Sequence, residues 1–509
     1  MSMTVYIPLD TSAVACGADG VADAVKAHDA SIVIIRTGSR GMAWLEPLIE
    51  IETANGRMGY GPVSAADVPA ILADTSFEGS MGVVDDLPWI KAQRREMFAR
   101  CGIINPTDMA DYEANGGMAG IKKAAKLSQA NIVDTVMTSG LRGRGGAAFP
   151  AGIKWKTVSG AENAQKYIVC NADEGDSGTF ADRMIMEGDP LLLVEGMAIA
   201  GLACGADIGI IYLRSEYPIA HTQLNAAIEV AKTAGMLGDD VMGTGKTFNL
   251  TVFLGAGAYI CGEETSLLES LEGKRGIVRS KPPIPALEGL FGCPTLVQNV
   301  LSFCSVPSIL AEGGDWYAKM GVGRSTGTMP FQLAGNIRQG GLVELPFGVS
   351  ARELIEEFGG GTRSGKPIRA VQFGGPLGAY LPADQLDVAM TYEDLMALGA
   401  GLGHGGLVVF DEDVNLLDQA RYAFEFCAIE SCGKCTPCRI GAVRGVELID
   451  RIKTEGLNDQ TKEILTDLIE VMEDGSLCAM GGMTPIPVKS AVANFAEDFT
   501  KSSTKGEGS

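Results

Sequence analysis

Only three histidines, His28, His221 and His404, occur in 509 residues, and they stand far apart. A multi-histidine metal centre or a histidine-based triad needs more imidazole than that in one place. Basic residues are scarce as well, 41 Lys and Arg against 63 Asp and Glu, for a net charge of −22. Phosphate-rich surfaces repel such a chain, which excludes nucleic acid and anionic membranes as partners. Long apolar runs are missing too. The most apolar stretch, Leu191 to Leu213, is interrupted by Glu195, Asp207 and several glycines. It reads as a buried helix followed by a strand, not as a membrane span. The opening MSMTVYIPLD has neither the basic nor the apolar region of a signal peptide. The expectation is a cytoplasmic protein with reduced thiols.

Two residue types are abundant, glycine with 67 and cysteine with 12. The length suggests three or four domains. Residues 4–7, 31–36, 48–53 and 58–60 read as strands around a helix over 11–28, a small α/β domain. A charged connector follows, with a helix expected from Lys91 to Cys101. Residues 126–335 alternate strand-like runs (167–170, 208–213, 249–254) with helical segments, the order of a parallel sheet. Residues 336–412 look like a small β-grasp module. From 413 the apolar spacing becomes that of amphipathic helices, so a helical bundle is expected. The tail KSSTKGEGS reads as disordered.

Cys432, Cys435 and Cys438 form C-x2-C-x2-C in SCGKCTPCR. Three thiolates within seven residues can converge on one centre, and this triplet is the ferredoxin-type signature of an iron–sulfur cluster. A structural zinc site also takes four thiolates and is the alternative. Cys478, in the Gly-rich GSLCAMGG, is the favoured fourth ligand over Cys427, which shares a helical face with Leu416, Ala420 and Phe424.

The glycines gather in loops. In Ser139–Trp155, Gly143, Gly145 and Gly146 would let a ligand approach the backbone, with Arg144 and Lys154 supplying charge and Phe149 an aromatic. Asn171, Asp173, Glu174 and Asp176 follow a strand, at the sheet edge where α/β folds bind ligands. Gly255, Gly257 and Gly262 frame Tyr259, and Glu263-Glu264 then opens a helix. Gly243–Thr247 imitates a P-loop. It lacks the upstream glycine, occupied by Asp240, and precedes a strand, so it reads as a turn.

GLRGRGGAAFPAGIKW, NADEGDSGTFADR, GAGAYICGEETSLLESLEG, KPPIPALEGLFGCPTLVQNV and ESCGKCTPCR occur in that order. Together they resemble the NADH-binding flavoprotein family of the complex I 51-kDa-subunit type, over about residues 85–500. The resemblance implies FMN, NAD and one 4Fe–4S cluster. Gly143, Arg144, Gly145, Gly146, Lys154, Asn171, Asp173, Gly262, Glu263 and Asn299 would surround FMN. Phe149, Asp176, Tyr259, Glu264 and Lys281 would meet NAD+/NADH, and Cys432, Cys435, Cys438 and Cys478 would hold the cluster. No side chain is assigned a catalytic role, since the flavin carries the hydride transfer. Ile284, Thr157 and Gln298 depart from the family pattern, the first two at usual aromatic positions.

The N-terminal residues resemble the family's thioredoxin-like 2Fe–2S partner, with Ser39 and Ala43 at ligand positions and only Cys16 left of the first pair. The implied architecture is α/β multidomain. It comprises a degenerate thioredoxin-like domain (1–84), a Rossmann-like FMN/NAD domain (85–335), a ubiquitin-like SLBB domain (336–412), a helical 4Fe–4S bundle (413–500) and a tail (501–509). This fusion, with RYAFEFCAIESCGKCTPCRIG, resembles most the β (diaphorase) subunits of soluble NAD-dependent formate dehydrogenases. The expected partners are then a small thioredoxin-like 2Fe–2S subunit and a large molybdopterin subunit. Diaphorase subunits of bidirectional NAD-linked hydrogenases or of complex I-type NADH dehydrogenases are the alternative. A nonenzymatic assembly subunit with structural zinc is another.

Overall fold

The computed structural model describes residues 3–73, 77 and 79–500. The predicted tail lies outside them. Strands β1 (Thr4–Pro8), β2 (Val33–Thr37), β3 (Ile49–Thr53), β4 (Gly56–Tyr60) and β5 (Ser80–Val83) form the first sheet, in the order β2-β1-β3-β4-β5. Only the β1–β2 pair is parallel. The single helix expected over 11–28 is two, Thr11–Ala15 and Ala18–His28. Gly17, at φ 107°, breaks it, a backbone state that glycine tolerates without steric cost.

In the turn before β3 Glu46 is buried, accepting from the Ser39 hydroxyl at 2.7 Å and the Leu48 amide at 3.1 Å. Burial, reinforced by the nearby charge of Asp10, pushes its carboxyl up to about 8. In the unfolded chain the same group titrates near 4.5. The folded state therefore holds the proton longer. Its contribution is fully present below about 4.5 and is lost as pH rises through about 8. Thermal denaturation should show the melting temperature falling across that window, and Glu46→Gln should flatten the slope. An unchanged slope in the variant would refute the assignment.

The connector does not form the helix expected at Lys91–Cys101. Only Pro88–Lys91 is helical. The reason is tertiary: the Met97 and Phe98 amides donate to the buried carboxylate of Glu344, and the Arg94 amide to the Glu344 carbonyl. Those donors are diverted from an intrahelical ladder.

The second sheet, β6 (Tyr167–Ala172), β7 (Ile208–Leu213), β8 (Asn249–Leu254) and β9 (Thr295–Asn299), is all parallel, ordered β8-β7-β6-β9. The chain moves outward from β6 through β7 to β8, then returns to place β9 on the other side of β6. That reversal creates a crevice beyond the carboxyl ends of β6 and β9, the usual ligand position in such sheets. Helix Pro190–Cys204 is buried along its whole length. Glu195 within it is satisfied by the Tyr112 hydroxyl at 2.5 Å and the Met118 and Ile121 amides, as a buried polar group must be.

After a minimal hairpin, β10 (Gly321–Val322) and β11 (Ser325–Thr326), a third sheet follows. It is built from β12 (Thr328–Gly335), β13 (Gly341–Pro346), β14 (Ile368–Phe373), β15 (Ala379–Pro382) and β16 (Gly406–Asp411), ordered β13-β12-β16-β14-β15. Helices Leu416–Glu430, Thr436–Glu455, Asp459–Gly475 and Pro485–Asn494 complete the C-terminal bundle. Among the described residues no helix is long and apolar enough to cross a membrane.

Candidate functional site

The crevice is built mainly from three loops. The first joins helices Gln129–Thr138 and Ala151–Gly160 and folds back on itself through Gly143 N–H to the Phe149 carbonyl, 2.8 Å. Gly146 sits at φ 105°. A Cβ on Gly145 would lie 2.9 Å from the Cβ of Asn299, so the loop runs flush against the end of β9. Asn299 itself is fixed at both ends. Its carbonyl oxygen accepts from the Leu301 amide, and its amide donates to Asp182 at 2.7 Å. Gly262 and Asn171 meet through the Asn171 amide and the Gly262 carbonyl, 2.7 Å.

Asp173 lies just beyond β6. Burial pushes its carboxyl up to about 7, against the pull of Arg214 at 3.7 Å. Its Oδ2 is buried with no partner, an acceptor left for a ligand's hydroxyl or amide. Glycine backbone in contact range and an unmatched buried acceptor at a sheet switch point suit a flavin nucleotide.

The charges are arranged differently from the expectation that Arg144 would face the ligand. Its guanidinium is completely buried and turned away, donating to the carbonyls of Arg142, Thr326 and Thr328 and to the Tyr317 hydroxyl. It fastens the loop to the third sheet. Lys154 lies 3.2 Å from Glu264, and Lys281 lies 3.0 Å from Glu263 and 2.9 Å from Glu264. Two cations thus face two anions. Burial opposes the Glu264 charge, but the two lysines hold its carboxyl below the usual range. Glu263 caps helix Glu264–Leu271 through the Thr265 and Ser266 amides.

Tyr259 donates to Asp176 at 2.7 Å, and its ring packs edge-on against Phe426 of the bundle. Phe149, Ile284 and Leu287 are exposed. Two of the departing residues have structural duties. Gln298 accepts from the buried Trp155 indole at 2.8 Å, and Thr157 bonds back to the Ile153 carbonyl.

The four expected cluster cysteines line one cavity, together with Ile260, Val278 and Lys434. Cys435 immediately precedes helix Thr436–Glu455, Cys438 sits in its first turn, and Cys478 immediately precedes helix Ala479–Met483. Cys427 stays in the core, its sulfur 3.6 Å from that of Cys438. Among the described residues the only compact metal-type group is Glu174, Asp182 and His404, so no three cysteine sulfurs lie within 4.8 Å of one another. One zinc ion, with Zn–S near 2.3 Å, would require sulfurs about 3.8 Å apart.

His404 belongs to the site although no motif contains it. It is buried, Nδ1 lies 2.7 Å from the Arg144 carbonyl, and Nε2 lies 3.1 Å from Asp182 and 3.3 Å from Glu174. Burial alone would favour neutral imidazole, but the two carboxylates raise its pKa well above the ordinary value.

This fold and these loops define an NAD(H)-linked oxidoreductase of the diaphorase type. Residues 136–308 match the Nuo51 FMN-binding domain, and residues 418–502 match the NADH-ubiquinone oxidoreductase-F iron–sulfur binding region. FMN and a 4Fe–4S cluster are therefore its cofactors. The chain is 46% identical over 410 residues to NADP-reducing hydrogenase subunit HndC of Solidesulfovibrio fructosivorans, covering 80% of this chain and 83% of that protein. It is 42% identical over 397 residues to an NADH-quinone oxidoreductase subunit of Escherichia coli K12, covering 77% and 89%. The chain belongs to this family of complex I 51-kDa-type flavoproteins. A solved NAD+-reducing [NiFe]-hydrogenase, in its air-oxidized state, matches with a TM-score of 0.69 and 28% identity, over 98% of this chain and 84% of that one. The likeness thus extends to the N-terminal sheet.

These relatives overturn the formate dehydrogenase reading. They are hydrogenase and NADH-quinone oxidoreductase subunits, so the molybdopterin partner and the assembly expected with it are withdrawn. The physical reason is plain. The quoted motifs build flavin and cluster sites, which every assembly using this module needs, and they carry no contact with a distal catalytic subunit.

Proposed function

We propose that this chain is the diaphorase module of a hydrogenase-type or complex I-type assembly. It would bind a nicotinamide nucleotide beside FMN and pass electrons singly through a 4Fe–4S cluster to or from further subunits. One observation carries the reading. The 3-10 turn Tyr259–Gly262 touches both sites: Tyr259 bonds Asp176 and Gly262 bonds Asn171 on the flavin side, while Ile260 lines the cysteine cavity. A single turn of backbone separates the two, the proximity electron transfer requires. When bound, FMN and the cluster supply the hydride and one-electron chemistry. The chain positions them.

Within this reading Gly143, Gly145, Gly146, Asn171, Asp173 and Asn299 form the flavin cradle. Glu263, Glu264, Lys154 and Lys281 form the nucleotide rim, with Phe149, Asp176 and Tyr259. Cys432, Cys435, Cys438 and Cys478 hold the cluster. The first sheet is read as a thioredoxin-like domain without a cluster, and the third as a ubiquitin-like module.

The test is direct. Purified chain should carry flavin absorbance and about four iron atoms, and should reduce dyes with NADH. Lys281→Met should raise the KM for NADH by about tenfold, the scale of one charge-assisted contact, with little change in kcat. A chain with no flavin and no NADH–dye activity would sink the reading. An unaltered KM would remove Lys281 from the nucleotide site.

A further inference from the structure

The peptide joining Arg144 and Gly145 has an unusual pair of environments. Its carbonyl points into the protein, where His404 Nδ1 lies 2.7 Å away. A carbonyl only accepts, so Nδ1 carries a proton. Nε2 faces oxygens of Asp182 and Glu174 at 3.1 and 3.3 Å, both acceptors too. Among the described residues Nε2 has no hydrogen-bond partner of good geometry but sits within ion-pair range of both carboxylates, whose charge favours the imidazolium, so the ring is braced on one side by two carboxylates and on the other by the loop.

A trans peptide is planar, and its C=O and N–H point in opposite directions. Holding the Arg144 carbonyl inward thus turns the Gly145 N–H outward. Among the described residues that N–H has no partner, and Gly145 is exposed at the mouth of the crevice. The orientation is reinforced from the neighbouring atom: the Arg144 N–H donates to the Ser302 hydroxyl at 2.8 Å.

The brace is itself held rigidly. Glu174 accepts from the Asp182 and Arg183 amides. The second oxygen of Asp182 accepts from Asn299, whose Cβ limits how close Gly145 can come. The His404 carbonyl accepts from Gln332 of β12 at 2.7 Å. A closed circuit results: Gly145 loop, Arg144 carbonyl, His404, Asp182, Asn299, and back to Gly145.

We propose that His404 is a positioning residue for the flavin. Its protonated ring fixes the Arg144–Gly145 peptide so that the Gly145 N–H is aimed at an acceptor atom of the bound nucleotide, and it adds positive charge behind that amide. The third sheet thereby supplies part of the cofactor site. This rests on the reading that the Gly143–Gly146 loop holds FMN.

The experiment uses the full chain and the variants His404→Leu and His404→Asn, reconstituted with FMN. Readouts are the FMN dissociation constant, the flavin reduction potential and the iron content. Wild-type chain that binds no FMN would defeat the underlying reading and leave His404 aside. With wild type loaded, His404→Leu should weaken FMN by about tenfold to a hundredfold, the range for a lost charge-assisted hydrogen bond. Iron content should stay unchanged. In His404→Asn the side-chain amide can still donate to the Arg144 carbonyl, so affinity should largely return. The flavin potential should nevertheless fall, because the cation is gone. If His404→Leu fails to fold, the asparagine variant carries the test through its potential. Unchanged affinity and potential in either variant would overturn the proposal, as would an asparagine variant that binds FMN no better than the leucine one.

Discussion

Cys478→Ser should leave the chain with its flavin but strip it of most of its cluster iron. Cys478 lies 40 residues beyond Cys438, past helix Asp459–Gly475, yet both line the same cavity, and Cys478 immediately precedes helix Ala479–Met483. Iron–sulfur clusters of this kind are held by four thiolates, so removing one leaves an open iron exposed to solvent. Iron should fall from about four per chain towards zero or a smaller residual cluster. Hydride uptake from NADH should persist, measured as flavin bleaching. Electron delivery to acceptors that draw on the cluster should drop by about a hundredfold or more, the scale of losing an obligate relay rather than one contact. Cys427→Ala is the matched control. Its sulfur is packed in the core beside Cys438 and lies off the cavity, so iron should be retained. If Cys427→Ala lost the iron and Cys478→Ser kept it, the ligand set would have to be redrawn.

The second large effect should come from Gly145→Ala. One methyl group is added, at a point 2.9 Å from the Asn299 Cβ. Most core clashes are relieved by a side chain that yields, but Asn299 has little room. It caps the helix Val300–Cys304 with one end and bonds Asp182 with the other. The loop must therefore lift. Overpacking typically costs about 1–3 kcal/mol, roughly tenfold to a hundredfold in binding when the displaced backbone is the ligand's cradle. FMN content after gel filtration should fall sharply while iron stays near the wild-type level. Full flavin occupancy in this variant would show that the loop does not line the cofactor.

The legible parts of this chain were those written locally. The thiol triplet, the glycine loops and the strand-then-acid pattern after β6 each lie within a few residues, and each motif occupies a corner of the crevice or the cavity. What was not legible depended on distant partners. The helix expected near residues 91–101 is absent because Glu344 takes its amides. Arg144 read as a ligand-facing cation because nothing nearby announced that Tyr317, Thr326 and Thr328 would claim it. His404, alone in a glycine-rich turn, carried no local signal at all. Of the cations expected at the ligand, Arg144 is a structural clasp, and Lys154 and Lys281 are balanced by two glutamates. The identity of the wider assembly was misread for a related reason: partner choice is set by outer surfaces, and the motifs describe the inside.

The bond between Arg144 and His404 spans 260 positions of sequence. A nascent chain leaving the ribosome has the first glycine loop in hand long before the residue that steadies it. Residues 171–182, 259–264 and 299 arrive in between, and the turn at 404 arrives last. Contacts this remote close late in folding, after much loop entropy has been lost. A chain that stops before the third sheet has the glycine loops without the brace. On the proposal made for His404, flavin capture would wait until two separate sheets have docked.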